Sequence, residues 1–292
     1  MLKMIEATSL QDMIELLLWK VGVQYLGLDG EKSSDGFDLS ADPQLLYACK
    51  VDVWRYKREA SPNVRGPPAL VCNFSQLEEK LQAGYKATTA GKFSEALRHF
   101  VAILQTIPFI VVESRREVDE VKELIIIVKE YVLGLQMELK RKELTDNPVR
   151  QQELAAYFTH CKLQLPHRRL ALLNAMTVCY KAQNLSTAAH FARELLETNP
   201  AAENQAKKAR QVLQAAERNM RDVTPLNYDF RNPFVVCGST YTPLYRGQKD
   251  VTCPYCSAHF VPSQKEQLCT VCELAEVGAD ASGLVCSTSQ IR

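Results

Sequence analysis

The 292-residue sequence has no excess of charge of either sign: 35 Lys and Arg stand against 34 Asp and Glu. Without surplus positive charge, little drives the chain onto a phosphate backbone or an anionic lipid surface, so nucleic acid is a poor partner class. Long hydrophobic runs are missing as well. The most apolar stretch near the start, MIELLLWKVGVQYLGL, carries Glu15 and Lys20. Its uncharged runs fall far short of the ~18 residues needed to span a bilayer. No small-residue cleavage site follows it, which argues against a signal peptide, and a soluble chain is expected. Enzyme signatures are also lacking. There is no phosphate loop, no Gly-x-Gly-x-x-Gly, no His-Glu-x-x-His and no Gly-x-Ser-x-Gly. His160 and His167 flank Cys161 in YFTHCKLQLPHRR, but next to Pro166 they read as a packed or surface cluster rather than a Cys/His dyad. No catalytic residue is assigned, and a non-enzymatic protein is expected.

Cysteine, by contrast, is plentiful. Ten cysteines would suit a secreted disulfide scaffold, but such scaffolds are short and loop-rich, and most of this chain is helical in pattern. A reducing compartment fits better. Cys49, Cys72, Cys161 and Cys179 are scattered singly and read as ordinary thiols. The other six follow residue 236, and that asymmetry marks a boundary. Among them CPYCSAHFVPSQKEQLCTVC holds two Cys-x-x-Cys pairs, Cys253/Cys256 and Cys269/Cys272, twelve residues apart. Each such turn brings two thiolates to one ion, and two turns complete the tetrahedron that structural zinc prefers. The gap is slightly below the roughly fifteen to twenty residues of one ribbon pattern. Cys237, Cys286 and His259 are alternative ligands. Unmetallated packing thiols are the competing reading. A redox pair would need an α/β context, and four thiolates leave no open position for catalysis.

The order of elements follows from periodicity. SLQDMIELLLWKV (9–21) spaces Leu10, Met13, Ile14, Leu17 and Val21 as a short amphipathic helix that Ser9 caps. A polar loop follows, and SPNVRGPPAL reads as an extended linker, so 1–70 form an N-terminal helix with irregular segments. Residues 71–222 are expected to be α-helical. LEEKLQAGYKATTAGKFSEALRHFVAILQTIP has the spacing of a tetratricopeptide-type helical hairpin, with Gly84 and Tyr85 on one helix, Gly91 and Phe93 at the turn, and Ala96, Phe100, Ile103 and Leu104 on the next. A second copy, LLNAMTVCYKAQNLSTAAHFARELLETNP, places Leu185, Ala188, Leu195, Leu196 and Pro200 over Phe93, Ala96, Ile103, Leu104 and Pro108. Another hairpin or a long irregular excursion must lie between the two. SRREVDEVKELIIIVKEYVLGLQMELKRKEL supplies one long helix that buries Val118, Val121, Leu124, Ile125, Val128, Val132 and Leu135, its basic stretch at Lys140 to Lys142 a solvated end. From 223 to 292 prolines 225, 233 and 243 and a β-branched, aromatic composition predict a small β-rich module. The expected class is mainly α, a tetratricopeptide-like α-solenoid of helical hairpins with a small β-rich C-terminal module.

Several segments in a fixed order carry a resemblance. LNYDFRNPFVVCGSTYTPLYRG, then CPYC, then EVGADASGL, preceded by TTAGKFSEALRHFVAIL, AAYFTHCKLQLPHRRLAL and AAHFARELLE, resemble the C-terminal domain of coatomer alpha subunits. The resemblance implies a shared core of Asn232, Pro233, Phe234, Cys237, Tyr241, Pro243, Tyr245, Arg246, Gly247, Cys253 and Pro254. It does not imply the paired Cys-x-x-Cys arrangement, so zinc rests on spacing alone and no cofactor is required for activity. It further implies a non-catalytic vesicle-coat component that binds the coatomer epsilon subunit and works with the other coatomer subunits. Such a component serves Golgi-to-ER and intra-Golgi transport, cytoplasmic and peripheral on Golgi membranes and coated vesicles through the coat only. The family's N-terminal propellers, which read dilysine signals, have no counterpart here, so cargo recognition is not carried over. Two other readings stay open: a zinc-ribbon or RING-like binding module, and a self-standing tetratricopeptide adaptor. A RING needs eight ligands, and the tail holds six cysteines and one histidine.

Overall fold

The computed structural model describes residues 72–110, 112, 114–200 and 202–281. The helix expected at 9–21, the polar loop, the Pro-rich linker and Cys286 lie outside the described residues. Those described are mainly helical: α1 (Phe74–Thr89), α2 (Phe93–Thr106), α3 (Arg115–Glu143), α4 (Pro148–Phe158), α5 (Leu165–Lys181), α6 (Leu185–Glu197) and α7 (Glu203–Glu217). Each helix packs on the next in chain order, the arrangement of a solenoid of hairpins.

Helix starts follow local chemistry. Ser114 Oγ accepts from the Glu117 N–H at 3.2 Å, capping α3. Asn147 Oδ1 accepts from the Arg150 N–H at 2.9 Å, and Pro148 occupies the first turn of α4, where a missing N–H costs nothing. The two tetratricopeptide-like copies end their first helices in the same way. Gly91 and Gln183 both take positive φ, +73° and +62°. The Lys92 N–H reaches the Ala87 carbonyl at 2.9 Å and the Asn184 N–H reaches that of Cys179 at 3.0 Å, closing matching C-terminal caps. Between the copies lies a third helical hairpin, α3 with α4, rather than an irregular excursion.

Among the described residues the buried apolar side chains form two large clusters and one small one. Tyr85, Phe100 and Tyr131 gather α1, α2 and α3, the last two rings stacked at 4.7 Å between centroids. Farther along, Leu172, Met176, Phe191 and Leu195 pack with Ala155, Ala156, Ala192 and Ala209, whose small side chains let α4 to α7 approach closely. The expected inward face of α3 is buried except at Val118, which packs on the core while partly exposed. Its basic end needs a correction. Lys140 pairs with exposed Glu143 and Lys142 lies over the Phe93 ring, but Arg141 turns inward and donates twice to Glu138 at 2.7 Å. Glu138 is only 3% exposed, and a carboxylate so buried demands a partner. Asn174 Nδ2 adds a third donor at 3.1 Å.

After α7 the chain runs back over the helices without regular structure and then forms short antiparallel hairpins. β1 (Phe234–Val236) pairs with β2 (Pro243–Tyr245), Val235 facing Leu244. β3 (Val251–Thr252) pairs with β4 (His259–Phe260), Val251 facing Phe260. A further antiparallel bridge joins Leu268 to Glu276. Buried residues of this β-rich part, from Val236 to Val277, join the same hydrophobic cluster as α1 to α4.

Candidate metal centre

Three turns in the β-rich part share one backbone. After Cys237, Cys253 and Cys269, the fifth residue of each turn, Tyr241, Ser257 and Glu273, has φ of +53°, +57° and +57°. Its N–H bonds back to the cysteine carbonyl at 3.0, 3.0 and 2.9 Å. The cysteine N–H in turn reaches the carbonyl of Thr242, Ala258 or Ala275, closing each hairpin. This is a knuckle that presents the side chains at its first and fourth positions on the same side. In the second and third knuckles those positions are Cys253/Cys256 and Cys269/Cys272. In the first they are Cys237 and Thr240, so the hydroxyl side chain stands where the others carry sulfur.

The second and third knuckles bring four thiols together. All four Sγ atoms lie within 4.8 Å of one another, Cys253 to Cys272 at 3.7 Å and Cys256 to Cys269 at 3.6 Å. A tetrahedron with Zn–S bonds of about 2.3 Å has edges of about 3.8 Å. A disulfide needs about 2.05 Å, and all four thiols are free. Each cysteine is at most 1% exposed, among Phe260, Val271 and Val277, so no water or carboxylate competes for the ligand positions. Hydrogen bonds from the neighbouring thiols, Cys256 first, hold Cys253 well below the usual thiol range. The same contact with Cys253 pushes Cys256 and Cys269 up, because a thiol that donates to a neighbouring sulfur holds its proton.

The alternative ligands stand apart from this cluster. Cys237 Sγ accepts from the Val261 N–H at 3.4 Å and contacts Ser239 Oγ at 3.4 Å. His259 Nδ1 is engaged by Asp250 Oδ2 at 2.5 Å. The remaining signature residues build and brace the first hairpin. Phe234 packs its ring against Tyr157, His160, Tyr228 and Tyr245. Pro243 is buried and Tyr241 holds the left-handed turn position. Tyr245 Oη accepts from the Asp229 N–H at 3.1 Å. The Arg246 N–H reaches the Pro233 carbonyl at 3.3 Å, Asn232 closes a turn onto Asp229, and Gly247 has φ +93°.

His160, Cys161 and His167 do not assemble into a dyad. His160 Nε2 meets the Tyr228 hydroxyl at 2.9 Å, whereas His167 bridges Tyr131 at 2.7 Å and Thr89 at 2.9 Å. Burial pushes the Cys161 thiol well above its ordinary range, which keeps it protonated and unreactive.

Sequence reading missed the residues that seat the knuckles on the helices. Tyr255, between two ligand cysteines, donates its hydroxyl to the Leu104 carbonyl of α2 at 2.7 Å. The Thr270 carbonyl, between the other two, accepts from Gln136 Nε2 of α3 at 2.9 Å. Glu273 accepts from Gln105 Nε2 at 3.3 Å. Arg150 of α4 donates to the Thr240 and Tyr241 carbonyls of the first knuckle. These partners are 90 to 168 residues apart in sequence, beyond any local periodicity.

Residues 38–292 match the family model for the C-terminus of the alpha subunit of coatomer (COPI). The chain belongs to this coatomer alpha C-terminal family. Within it, the chain is 75% identical over 237 residues to Coatomer subunit alpha-2 of Arabidopsis thaliana, an alignment covering 81% of this chain and 20% of that relative. Coatomer subunit alpha of Dictyostelium discoideum is 44% identical over 232 residues, 76% of this chain and 19% of that one. The Saccharomyces cerevisiae coatomer subunit alpha is 32% identical over 212 residues, 71% and 17%. The chain thus spans about a fifth of the length of these coatomer relatives. None of the described helices is long and apolar enough to cross a membrane.

Proposed function

We propose that this chain acts without catalysis as the C-terminal interaction module of a vesicle-coat subunit, and that its direct partner is the coatomer epsilon subunit. Through epsilon and the other coatomer subunits it would be held on the cytoplasmic face of Golgi membranes and coated vesicles. Its service there is retrieval to the endoplasmic reticulum and transport within the Golgi. The observation that carries this reading is the family match across residues 38–292, which takes in both the helical hairpins and the knuckle-bearing part. The surface supports it. α3 exposes Ile126 at 48%, and α5 leaves Leu165, Leu170 and Tyr180 uncovered, apolar area of the kind that protein partners cover. The near-neutral charge also suits a protein partner better than nucleic acid or lipid.

Co-expression of the full chain with a coatomer epsilon subunit, followed by size exclusion at micromolar concentration, tests the assignment. A single co-eluting peak with both chains in equal amounts is expected. Two separate peaks would overturn it.

A further inference from the structure

We propose that Cys253, Cys256, Cys269 and Cys272 hold one Zn²⁺ as four thiolates, and that the ion fixes the seat of the knuckles on α2 and α3. The ligand set follows from the shared turn. Three knuckles share the same five-residue turn, but only the second and third carry sulfur at both presenting positions, and their four Sγ atoms lie within 4.8 Å of one another. Cys237 is already engaged by Val261 and Ser239, and its turn offers Thr240 as second group. A closed, sulfur-only set in apolar surroundings suits structural zinc; Mg²⁺ and Ca²⁺ require oxygen donors, and a catalytic ion requires an open position. The two pairs at 3.6 and 3.7 Å already have the spacing of tetrahedral edges, and the wider pairs need only draw inward.

The alternative, four thiols that merely pack, leaves this segment to the apolar burial it shares with α1 to α4, because it has little regular structure of its own. Its strands are two residues long, β3 with β4, plus a single bridge from Leu268 to Glu276. Where regular structure is this short, metal or disulfides commonly add to apolar burial. No disulfide is present among the described cysteines.

The link to the helices is a matter of position. Tyr255 lies between Cys253 and Cys256, Thr270 lies between Cys269 and Cys272, and Glu273 follows Cys272 directly. These are the residues that bond to Leu104, Gln136 and Gln105. Whatever sets the cysteine geometry therefore sets where the docking groups point. Zinc binding energy becomes folding energy of the turn and, through these three bonds, of the docked face.

The experiment takes the full chain purified without chelator and measures zinc by mass spectrometry, then amide exchange before and after metal removal. One zinc per chain is expected, lost in Cys256→Ser and kept in Cys237→Ser. Co²⁺ reconstitution should give the visible bands of a tetrahedral tetrathiolate in the wild type. Removing the metal should speed exchange at residues 251–278 and at the C-terminal end of α2 by about tenfold or more, while α5 and α6 hold their protection. Absence of stoichiometric zinc together with failure of Co²⁺ to give those bands would overturn the site. Unchanged exchange at α2 after metal removal would overturn the coupling. If Cys256→Ser does not fold, Co²⁺ titration of stripped wild type decides the site in the same way. None of these readouts involves epsilon, so the outcome is independent of that assignment.

Discussion

Gly84 in α1 and Gly134 in α3 occupy positions where alanine would ordinarily favour a helix by about 1 kcal/mol. Here the contacts outweigh propensity. A Cβ on Gly84 would sit 2.8 Å from Phe100 Cζ, and one on Gly134 would sit 2.5 Å from Phe158 Cε2 and 3.3 Å from Cys161 Sγ. Phe100 is fully buried and Phe158 nearly so, so neither ring can swing out to solvent. Gly134→Ala should therefore lower stability by about 1–3 kcal/mol, the usual cost of overpacking, read as a shift in the urea midpoint with unchanged slope. Adding Phe158→Leu should recover part of the loss; a stabilised single variant would refute the close-contact account. Gly84 was legible in the sequence because the tetratricopeptide spacing asks for a small residue there. Gly134 was not, because no repeat pattern marks its position on α3 and only the packing of Phe158 from α4 shows the need for a small residue.

At the scale of elements, α6 shows how a cap can come from far away. Asn184 precedes the helix, where Asn is a strong local cap. Its side chain turns inward instead, fully buried, donating to Gln152 Oε1 at 2.7 Å and the Thr224 carbonyl at 3.0 Å. Asp222 serves the helix in its place. Its Oδ1 accepts from the Thr187 N–H at 3.0 Å and its Oδ2 from the Thr187 hydroxyl at 2.7 Å, putting a negative charge at the positive end of the helix dipole. Asp222→Ala should cost about 1–2 kcal/mol, with Asp222→Asn in between. Amide exchange should rise first at the start of α6 and along the returning segment; a purely uniform rise would count against a local cap. Helix positions and turns were readable because they depend on periodicity and neighbours. The exchange of roles between Asn184 and Asp222 was not, since it depends on a strand of chain that returns 35 residues later.

For the molecule as a whole, His167 ties α1, α3 and α5 together in its neutral form. The Gln164 N–H donates to the Tyr131 hydroxyl at 3.0 Å, which donates to His167 Nδ1, while Nε2–H donates to Thr89 Oγ1 and Thr89 donates to the Tyr85 carbonyl. With Nδ1 accepting in this chain, a second ring proton breaks it. Burial accordingly holds the imidazole below its ordinary value, and His160 and His190 are lowered for the same reason. The unfolded chain takes up protons near pH ~6.5 that the folded chain refuses until lower pH, so stability is full above that value and falls as pH drops beneath it. The melting temperature should decline between about pH 7.5 and about pH 5.5, less steeply in His167→Gln. An equal slope in the variant would remove His167 from the account.

Apolar spacing and cysteine spacing, both local patterns, sufficed for the sequence to determine a mainly helical chain with repeated hairpins, a β-rich end and two thiol-bearing turns. The ordered blocks near the C-terminus pointed to the family on the same terms. Only the tertiary structure decided that Arg141 faces inward, that Cys237 and His259 stand apart from the four clustered thiols, and that Tyr255, Thr270 and Glu273 seat the knuckles on α2 and α3. Arg141 has its partner Glu138 three residues away, but only burial of that carboxylate beside Asn174 turns it inward. The other outcomes depend on which polar groups meet when separate segments pack, and burial forces partners on them that local pattern does not reveal.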